Sequence, residues 1–259
     1  MTTDTNAPTD FQDATVVVLG ASGGIGSALC KRLHQRGAKL VLAARNQDRL
    51  DELAEAVEGE SIPTDATDPD AVEALCEQAA EIGGGRIVGL VNCVGSVFLK
   101  PAHLTEPEDW RTVMSVNLDS AFHAVRSGAK RMMKSGGGSI VLMSSVAARL
   151  GLINHEAIAA AKGGVQGLML ASAASYAPKG VRVNCVAPGL TRTNATEMIF
   201  KNETSLNASV AMHPIRRPGE PEDVAAAIEW LLDPGQSWVT GQIIGVDGGL
   251  GTVKARGGS

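Results

Sequence analysis

Four polar side chains in this 259-residue chain are of types that together can move a proton at a substrate oxygen: Ser145, Asn117, His155 and Lys162. A serine hydroxyl and an asparagine amide can hydrogen-bond that oxygen and polarise it. An imidazole titrates near neutral pH and is a competent general acid. His155 precedes Lys162 by seven residues, a spacing that places two side chains on one face of a helix. The set predicts general acid–base chemistry.

The elements that must position these residues follow an alternating pattern. Short β-branched runs are separated by longer Ala-rich segments with helical periodicity, which is typical of βαβ units. The predicted strands are residues 15–19, 40–43, 87–91, 139–143, 181–186 and 242–246, and the predicted helices are residues 26–35, 68–82, 119–133 and 157–176. We therefore expect an α/β fold, a single Rossmann-type doubly wound parallel sheet with helices on both faces.

Three segments describe the predicted domain organisation. Residues 1–12 are polar and are predicted to be a flexible N-terminal arm, and residues 13–259 are predicted to form one domain. Within it, residues 191–218 make a long connection after a strand, of the kind that forms lids over active sites. We predict a substrate lid there; an ordinary surface excursion is the alternative.

Composition excludes several classes of function. The net charge of -5 is mild and evenly mixed, which argues against capture of nucleic acid or an anionic membrane. The four cysteines are far apart, without CxxC pairs or histidine clusters, so we expect reduced thiols and no metal site. The N-terminus resembles no targeting peptide, and no apolar stretch reaches membrane-spanning length. We expect small-molecule chemistry in the cytoplasm.

A glycine-rich turn directly follows the first predicted strand. Its residues are Gly20, Ala21, Ser22, Gly23, Gly24, Ile25 and Gly26. Glycines allow the tight turn, let the backbone approach a pyrophosphate and let the helix pack closely on the strand. The N-terminus of the following helix offers free N–H groups and a positive dipole end to phosphates. The turn predicts a dinucleotide site.

These motifs, in order along almost the whole chain, resemble the short-chain dehydrogenase/reductase family. The matching positions are Gly20, Gly24 and Gly26 for Gly-x-x-x-Gly-x-Gly, Asn92 to Gly95 for Asn-Ala-Ala-Gly, Asn117 for the helix asparagine, Pro188, Gly189 and Thr193 for Pro-Gly-x-x-x-Thr, and Gly241 to Gly249 for the closing strand. Asp65 stands where the family contacts the adenine. The resemblance implies that these residues bind a nicotinamide dinucleotide.

The end of the second strand predicts which dinucleotide is used. An acidic residue there would bond the ribose 2′-hydroxyl of NAD, whereas a basic residue accommodates the 2′-phosphate of NADP. The chain has Arg45 after Ala44, a planar guanidinium suited to a phosphate. We expect NADP(H) to be preferred and NAD(H) to be possible, because Gly23 stands where many NADP-using members of the family carry a second basic residue. The alternative is that Arg45 only ends a strand.

The resemblance also reveals a gap in the catalytic set. In the family a serine, a tyrosine and a lysine act together while the helix asparagine holds a water relay, roles that fall here to Ser145, Lys162 and Asn117. The tyrosine position, four residues before Lys162, holds Ile158, which has no proton to give. Two replacements are open: the imidazole of His155, or a water molecule bound to Lys162.

His155 is a candidate because enoyl reductases related to the family place their tyrosine seven residues before the lysine. Its alternative is an exposed polar residue at a helix start, with Asn154 as N-cap. The chain's one tyrosine, Tyr176, follows Lys162 by fourteen residues. That is about 21 Å of helix, so Tyr176 is too distant to act.

Together these residues predict an NADP(H)-dependent oxidoreductase that transfers hydride to or from a small carbonyl, hydroxyl or activated alkene, with a proton donor other than tyrosine. The alternatives are a redox-inactive NADP-binding sensor or partner subunit, and a non-redox enzyme of the same fold. The resemblance further implies a homo-oligomer, a tetramer or dimer, built through the helices that start near Asp119 and Ala157.

Overall fold

The computed structural model describes residues 11–12 and 14–254. Its centre is a sheet of seven strands in the order β3-β2-β1-β4-β5-β6-β7, with every neighbouring pair parallel. The strands are β1 (Thr15–Leu19), β2 (Lys39–Ala44), β3 (Glu60–Pro63), β4 (Gly89–Asn92), β5 (Gly138–Met143), β6 (Val181–Pro188) and β7 (Ile243–Val246). The predicted doubly wound α/β fold is confirmed.

Helices pack against both faces of the sheet. In chain order the described helices are α1 (Gly24–Gln35), α2 (Gln47–Ala56), α3 (Pro69–Ile82), α4 (Pro107–Met114), α5 (Ser120–Met132), α6 (Glu156–Tyr176), α7 (Glu197–Phe200), α8 (Glu203–Met212) and α9 (Pro221–Leu232). Of these, α7 and α8 bury no residue and lie outside the layers on the sheet. Alternate residues of β1 serve opposite faces, because successive side chains of a strand point in opposite directions. Val16 and Val18 join the core with α1, α2 and α9, whereas Val17 and Leu19 join the core with α3, α5 and α6.

The strand order creates a crevice that can hold a ligand. Connections leave β1 toward β2 on one side, whereas β4 lies on the other side of β1. In open parallel sheets such a switch point leaves a crevice outside the carboxyl ends of the strands. The glycine-rich turn after β1 and the residues after β4 therefore face each other there.

Helices α2, α4, α7, α8 and α9 lie outside the predicted set, and two further local features differ from it. β3 was absent from the predicted strands, because its sequence Glu60-Ser-Ile-Pro63 has a single aliphatic residue and lies half-exposed at the sheet edge. The predicted helix 119–133 is the continuation of α4: residues Ser115–Asp119 form a π-helical turn that joins α4 to α5. Such turns often occur at functional sites, and this one contains Asn117.

The predicted arm 1–12 and the chain's last residues, 255–259, lie largely outside the described part of the structure. Of the arm, Phe11 is buried, and the guanidinium of Arg36 lies 4.6 Å above the centre of its ring. Within the described residues, no helix is both long and apolar enough to cross a membrane. The same residues hold no group of three or more His, Cys, Asp or Glu side chains able to bind a metal ion.

Candidate functional site

A cleft of about 340 Å³ lies at the carboxyl ends of the strands, in the predicted crevice. Ten of the predicted site residues line it: Gly20, Gly24, Ile25, Gly26, Gly95, Ser145, Lys162, Pro188, Gly189 and Thr193. Six others lie outside its lining: Ser22, Arg45, Asp65, Asn92, Asn117 and His155. The fold therefore brings the glycine-rich turn, the serine and the lysine to one cavity.

A larger cavity, about 920 Å³, opens at the amino ends of the strands, opposite this cleft. Helices α3 and α5 end near it, so their negative dipole ends face it and favour cations. Its Arg182 donates hydrogen bonds to the carbonyls of Val239 and Asp233, which fastens a loop after α9. These hydrogen bonds give Arg182 a structural role. The smaller cleft, which holds the predicted site residues, is therefore the candidate site.

The glycine-rich turn has the shape that a phosphate cradle requires. Gly20 has φ +76°, and a Cβ there would lie 2.9 Å from the backbone of Cys93. A Cβ on Gly26 would lie 2.3 Å from the carbonyl oxygen of Gly20, so only glycine fits. The first turn of α1 has neither a side-chain cap nor an acidic residue. Its first N–H groups therefore remain available to an anion.

Arg45 and Asp65 lie close together at the ends of β2 and β3. Both are exposed. The backbone N–H and the hydroxyl of Thr67 donate to Asp65 Oδ1 at 2.9 and 2.8 Å. These hydrogen bonds, with a smaller contribution from the charge of Arg45, lower the pKa of Asp65. Arg45 thus offers its guanidinium to solvent beside a carboxylate that is already bound by Thr67.

Ser22 lines a neighbouring cavity of about 420 Å³, which the first turn of α1 shares with Arg192 and Thr193. Asn92 is buried behind the cleft, where its amide donates to Ser120 Oγ at 3.1 Å. Its Oδ1 accepts from the Val94 N–H at 3.1 Å. Asn92 therefore shapes the turn after β4 rather than facing the cavity.

Asn117 is a buried brace under one wall of the cleft. Its Oδ1 accepts from the N–H of Ser96, and its Nδ2 donates to Ser96 Oγ and to the carbonyl of Val113, each at 3.0 Å. A Cβ on Gly95 would lie 3.1 Å from Asn117 Oδ1 and 3.2 Å from Lys162 Nζ, so these two groups meet behind Gly95. Ser96, which the sequence predicts at the start of a wall of the substrate site, lines the cleft.

Lys162 carries a buried ammonium group at the cleft. Its Nζ donates to the carbonyl of Met143 at 2.9 Å, and the residue is 6% exposed. Burial lowers the pKa of Lys162 to about 8, because removal from water disfavours the charged form. A group with this pKa can gain or release a proton near neutral pH.

Ser145 follows β5 and begins a short turn, where its Oγ accepts from the Ala147 N–H at 3.1 Å. Its hydroxyl hydrogen is therefore available to a ligand oxygen in the cleft. The neighbouring Ser144 is engaged elsewhere: its Oγ donates to the Lys162 carbonyl at 3.1 Å and accepts from Gln166 at 2.9 Å. These bonds attach the start of α6 to the end of β5.

Ile158 forms an apolar wall of the cleft one helical turn before Lys162. It is 5% exposed and packs in a small cluster with Val113, Ala157 and Ala161. The Ile158 side chain has no polar atom. It gives the cleft a hydrocarbon surface at the position where the predicted catalytic set lacks a proton donor. The wall can exclude water but cannot transfer a proton.

His155 occupies the N-cap of α6, which begins at Glu156. The chain reverses just before it, at Asn154, whose φ is +64°. His155 Nδ1 lies 2.7 Å from the carbonyl oxygen of Ile153. A carbonyl only accepts, so Nδ1 carries the hydrogen, and in the neutral ring Nε2 carries none. His155 does not line the cleft.

The comparisons with known proteins find proteins described as reductases or dehydrogenases. A family model described as enoyl-(acyl carrier protein) reductase matches residues 20–251. The chain is 37% identical to galactitol 2-dehydrogenase (L-tagatose-forming) of Cereibacter sphaeroides, over 91% of this chain and 94% of the relative. It is 32% identical to a 3-oxoacyl-[acyl-carrier-protein] reductase of Vibrio cholerae, over 93% of this chain and 98% of the relative.

Further similarity extends to a plant protein and to a solved structure. A tropinone reductase homolog of Arabidopsis thaliana is 35% identical over 91% of each chain. The structure of a short-chain type dehydrogenase/reductase from Mycobacterium ulcerans superposes with a TM-score of 0.89. It is 32% identical, and the match covers 93% of this chain and 90% of that one.

Proposed function

Because the chain belongs to the short-chain dehydrogenase/reductase family, whose members it matches over nine-tenths of its length, we propose that it is an NADP(H)-dependent oxidoreductase acting on a small carbonyl, hydroxyl or activated alkene. One observation carries this proposal. Ser145 and Lys162, a hydroxyl donor and a buried cation, line the same cleft as the glycine-rich turn. A hydroxyl or carbonyl oxygen in that cleft would meet Ser145.

The residues present fit a dinucleotide. Gly26 lets the turn pack closely on the start of α1, where a Cβ would clash with the Gly20 carbonyl, and the uncapped first turn of α1 suits a pyrophosphate. The bound cofactor would supply or accept the hydride. Arg45, exposed beside Asp65, favours the 2′-phosphate of NADP(H), and no carboxylate ends β2 to bond a free 2′-hydroxyl. NAD(H) is the second choice.

For the proton we propose a water molecule held by Lys162, with His155 as the alternative. Lys162 lines the cleft and its pKa, lowered to about 8 by burial, lets it exchange protons with such a water. The ring of His155 donates through Nδ1 to Ile153, so it has a proton on Nε2 only as the imidazolium. Asn117 is committed to Ser96 and Val113 and acts as a positioning residue.

We propose residues 191–218 as the substrate lid. Thr191, Thr193 and Thr196 line the cleft from this segment, whereas α7 and α8 bury none of their side chains. A segment with so few buried contacts opens at low free-energy cost. With Val97 and Ile158 opposite, the lid would enclose a substrate that presents a hydrocarbon surface beside one reactive oxygen.

The alternative function, a redox-inactive NADP-binding sensor or partner subunit, is favoured by the packing of Ile158, which leaves an apolar wall at the position of the expected proton donor.

We also propose a homo-oligomer, because Phe122 on α5 and Leu170 on α6 are 50% and 52% exposed. Size-exclusion chromatography with light scattering would measure the mass of the assembly.

The function is tested by mixing the purified chain with NADPH and a panel of ketones, quinones and enones, and with NADP⁺ and a panel of small alcohols and polyols. We expect cofactor turnover above the no-enzyme rate for at least one class. Ser145→Ala should lower that turnover about a hundredfold while leaving the Kd of NADPH within about twofold, since Ser145 touches substrate rather than phosphate. Tight binding without turnover on the whole panel would favour the sensor instead.

The proton route is tested by His155→Ala. We expect kcat/KM for reduction to stay within about twofold of wild type at every pH. In both proteins it should fall as pH rises above about 8, because the protonated form of Lys162 is lost there. A large loss of kcat/KM in His155→Ala would assign the proton to the imidazole. The same assignment would follow if the fall of kcat/KM with rising pH occurred in the wild type and not in this variant.

A further inference from the structure

His213 stands at the base of the proposed lid and, with Thr191, is one of its two buried residues. Between residues 192 and 223, every other side chain is exposed or half-exposed, whereas His213 is 3% exposed. The two ends of this stretch are joined by backbone hydrogen bonds, from Arg192 N–H to the Gly219 carbonyl at 2.9 Å and from Gly219 N–H to the Leu190 carbonyl at 2.8 Å. Helices α7 and α8 thus form an excursion with one buried side-chain anchor near its base.

Both ring nitrogens of His213 are used, and their partners define the tautomer. Nδ1 lies 2.7 Å from the Ser209 carbonyl oxygen, on the last turns of α8, so Nδ1 carries the hydrogen. The Leu190 N–H donates to Nε2 at 3.3 Å, so Nε2 carries none. One neutral imidazole therefore links the lid helix to the backbone that follows β6.

The same ring packs against the backbone of the cleft. A Cβ on Gly189 would lie 2.6 Å from His213 Nε2 and 3.0 Å from the Cα of Asp247, so Gly189 is pressed between the imidazole and the end of β7. Gly189 itself lines the candidate cofactor cleft. Displacing the ring would remove one of the contacts that fix this backbone, beside the hydrogen bonds from Gly189 N–H to the Val246 carbonyl and from Gly219 N–H to the Leu190 carbonyl.

We propose that His213 is a positioning residue that couples attachment of the lid to cofactor binding. In its Nδ1–H form the ring holds α8 through Ser209 and holds the cofactor-binding backbone through Leu190, so neither can shift without the other. The inference rests on the proposed function only where it names the dinucleotide as the ligand. The coupling itself is a property of the free protein.

The first test uses amide hydrogen exchange in the cofactor-free protein. His213→Asn keeps a polar group near the Nδ1 position, but its shorter side chain loses the acceptor for Leu190, whereas His213→Gln places an oxygen near Nε2. We expect the Leu190 amide to exchange at least tenfold faster in the Asn variant and within about threefold of wild type in the Gln variant, the size expected when one buried hydrogen bond is lost. The amides of α8 should exchange faster in the Gln variant, which has no donor for the Ser209 carbonyl. Equal protection of Leu190 in both variants would overturn the proposal.

The second test measures the Kd of NADPH by fluorescence titration together with kcat. His213→Asn should raise the Kd about tenfold, with kcat at saturating NADPH within about twofold, and His213→Gln should restore tight binding. The matched control is Asn202→Ala, which removes the N-cap hydrogen bond that the Ser205 N–H donates to Asn202 Oδ1 and weakens α8 without touching the imidazole.

The control separates the coupling from general loosening of the lid. Asn202→Ala should leave the Kd of NADPH within about twofold; an increase as large as that of His213→Asn would overturn the specific role of the ring. A wild-type chain that binds neither NADPH nor NADH would refute the proposed function. The exchange experiment would still decide whether His213 couples α8 to Leu190.

Discussion

Ile158 stands where the sequence predicts a gap in the proposed catalytic set, and tyrosine can be introduced at this position. It lines the cleft one turn before Lys162. A phenol placed there would lie near the Lys162 ammonium, whose charge lowers a phenol's pKa. Ile158→Tyr should therefore raise kcat/KM for carbonyl reduction by at least about tenfold, since general acid catalysis contributes roughly a hundredfold or more where it is well placed.

Ile158→Phe is the matched control, because phenylalanine has the same ring without the hydroxyl. Both variants enlarge a side chain packed against Val113 and Ala161, so both carry the same packing strain. A gain in kcat/KM that only the tyrosine variant shows would come from the hydroxyl group. Equal changes in kcat/KM for the two variants would mean that this position does not face the reacting group.

For single residues, the sequence predicts some positions in the site and not others. Ser145 and Lys162 are placed at the cleft by motifs that the chain retains, and the structure puts both in its lining. His155 was expected to border the cavity if the helix reached it; it is the N-cap of α6 and lies outside the described lining, and its role stays a prediction. The hold of Asn117 on Ser96 joins two loops far apart in sequence, and spacing carries no information on it.

Among the elements, strong periodicity decides what can be predicted. β1 was expected at residues 15–19 and is Thr15–Leu19, since a buried central strand leaves an uninterrupted apolar run. Edge strand β3, Glu60–Pro63, was not in the predicted set because an exposed edge needs no such run. The π-helical turn Ser115–Asp119 contacts α4, α5 and α6, and no local sequence pattern predicts it.

Helices α3 and α5 are tied by Glu73, and this tie has a predictable pH dependence. Lys130, Ser127 and Arg131 all donate to its carboxylate, at 2.6, 2.8 and 2.8 Å. These partners, Lys130 first, lower the pKa of Glu73 to about 2. Because solvent screens the partly exposed pair, Glu73→Gln should reduce the free energy of unfolding at pH 7 by about 1–2 kcal/mol.

The sign of that dependence follows from the lowered pKa. Glu73 stabilises the fold when ionised, so its contribution is complete above the ordinary glutamate pKa near 4.5 and is lost as pH falls toward about 2. Urea unfolding at pH 7, 4 and 3 should show the difference between Glu73→Gln and wild type shrinking. Glu77→Gln is the control, with a smaller effect, since Glu77 pairs with Arg131 alone and is 55% exposed. A difference that stays constant with pH would contradict the assignment.

At the scale of the whole molecule, a ligand in the cleft touches turns that follow β1, β4, β5 and β6, so its binding should stabilise the entire sheet. A cofactor that binds only the folded chain adds about 2.7 kcal/mol at a hundred times its Kd. For a domain of this size that raises Tm by roughly 5–10 °C.

Thermal unfolding with equal concentrations of NADPH and NADH should give the larger shift with NADPH, because Arg45 is exposed where the 2′-phosphate would lie. Arg45→Ala should remove the difference between the two cofactors, whereas Arg86→Ala, an equal loss of charge at the opposite end of the sheet, should preserve it. A larger shift with NADH, or an unchanged difference in the Arg45 variant, would assign this chain to NAD(H) and leave Arg45 as a surface residue at the end of β2.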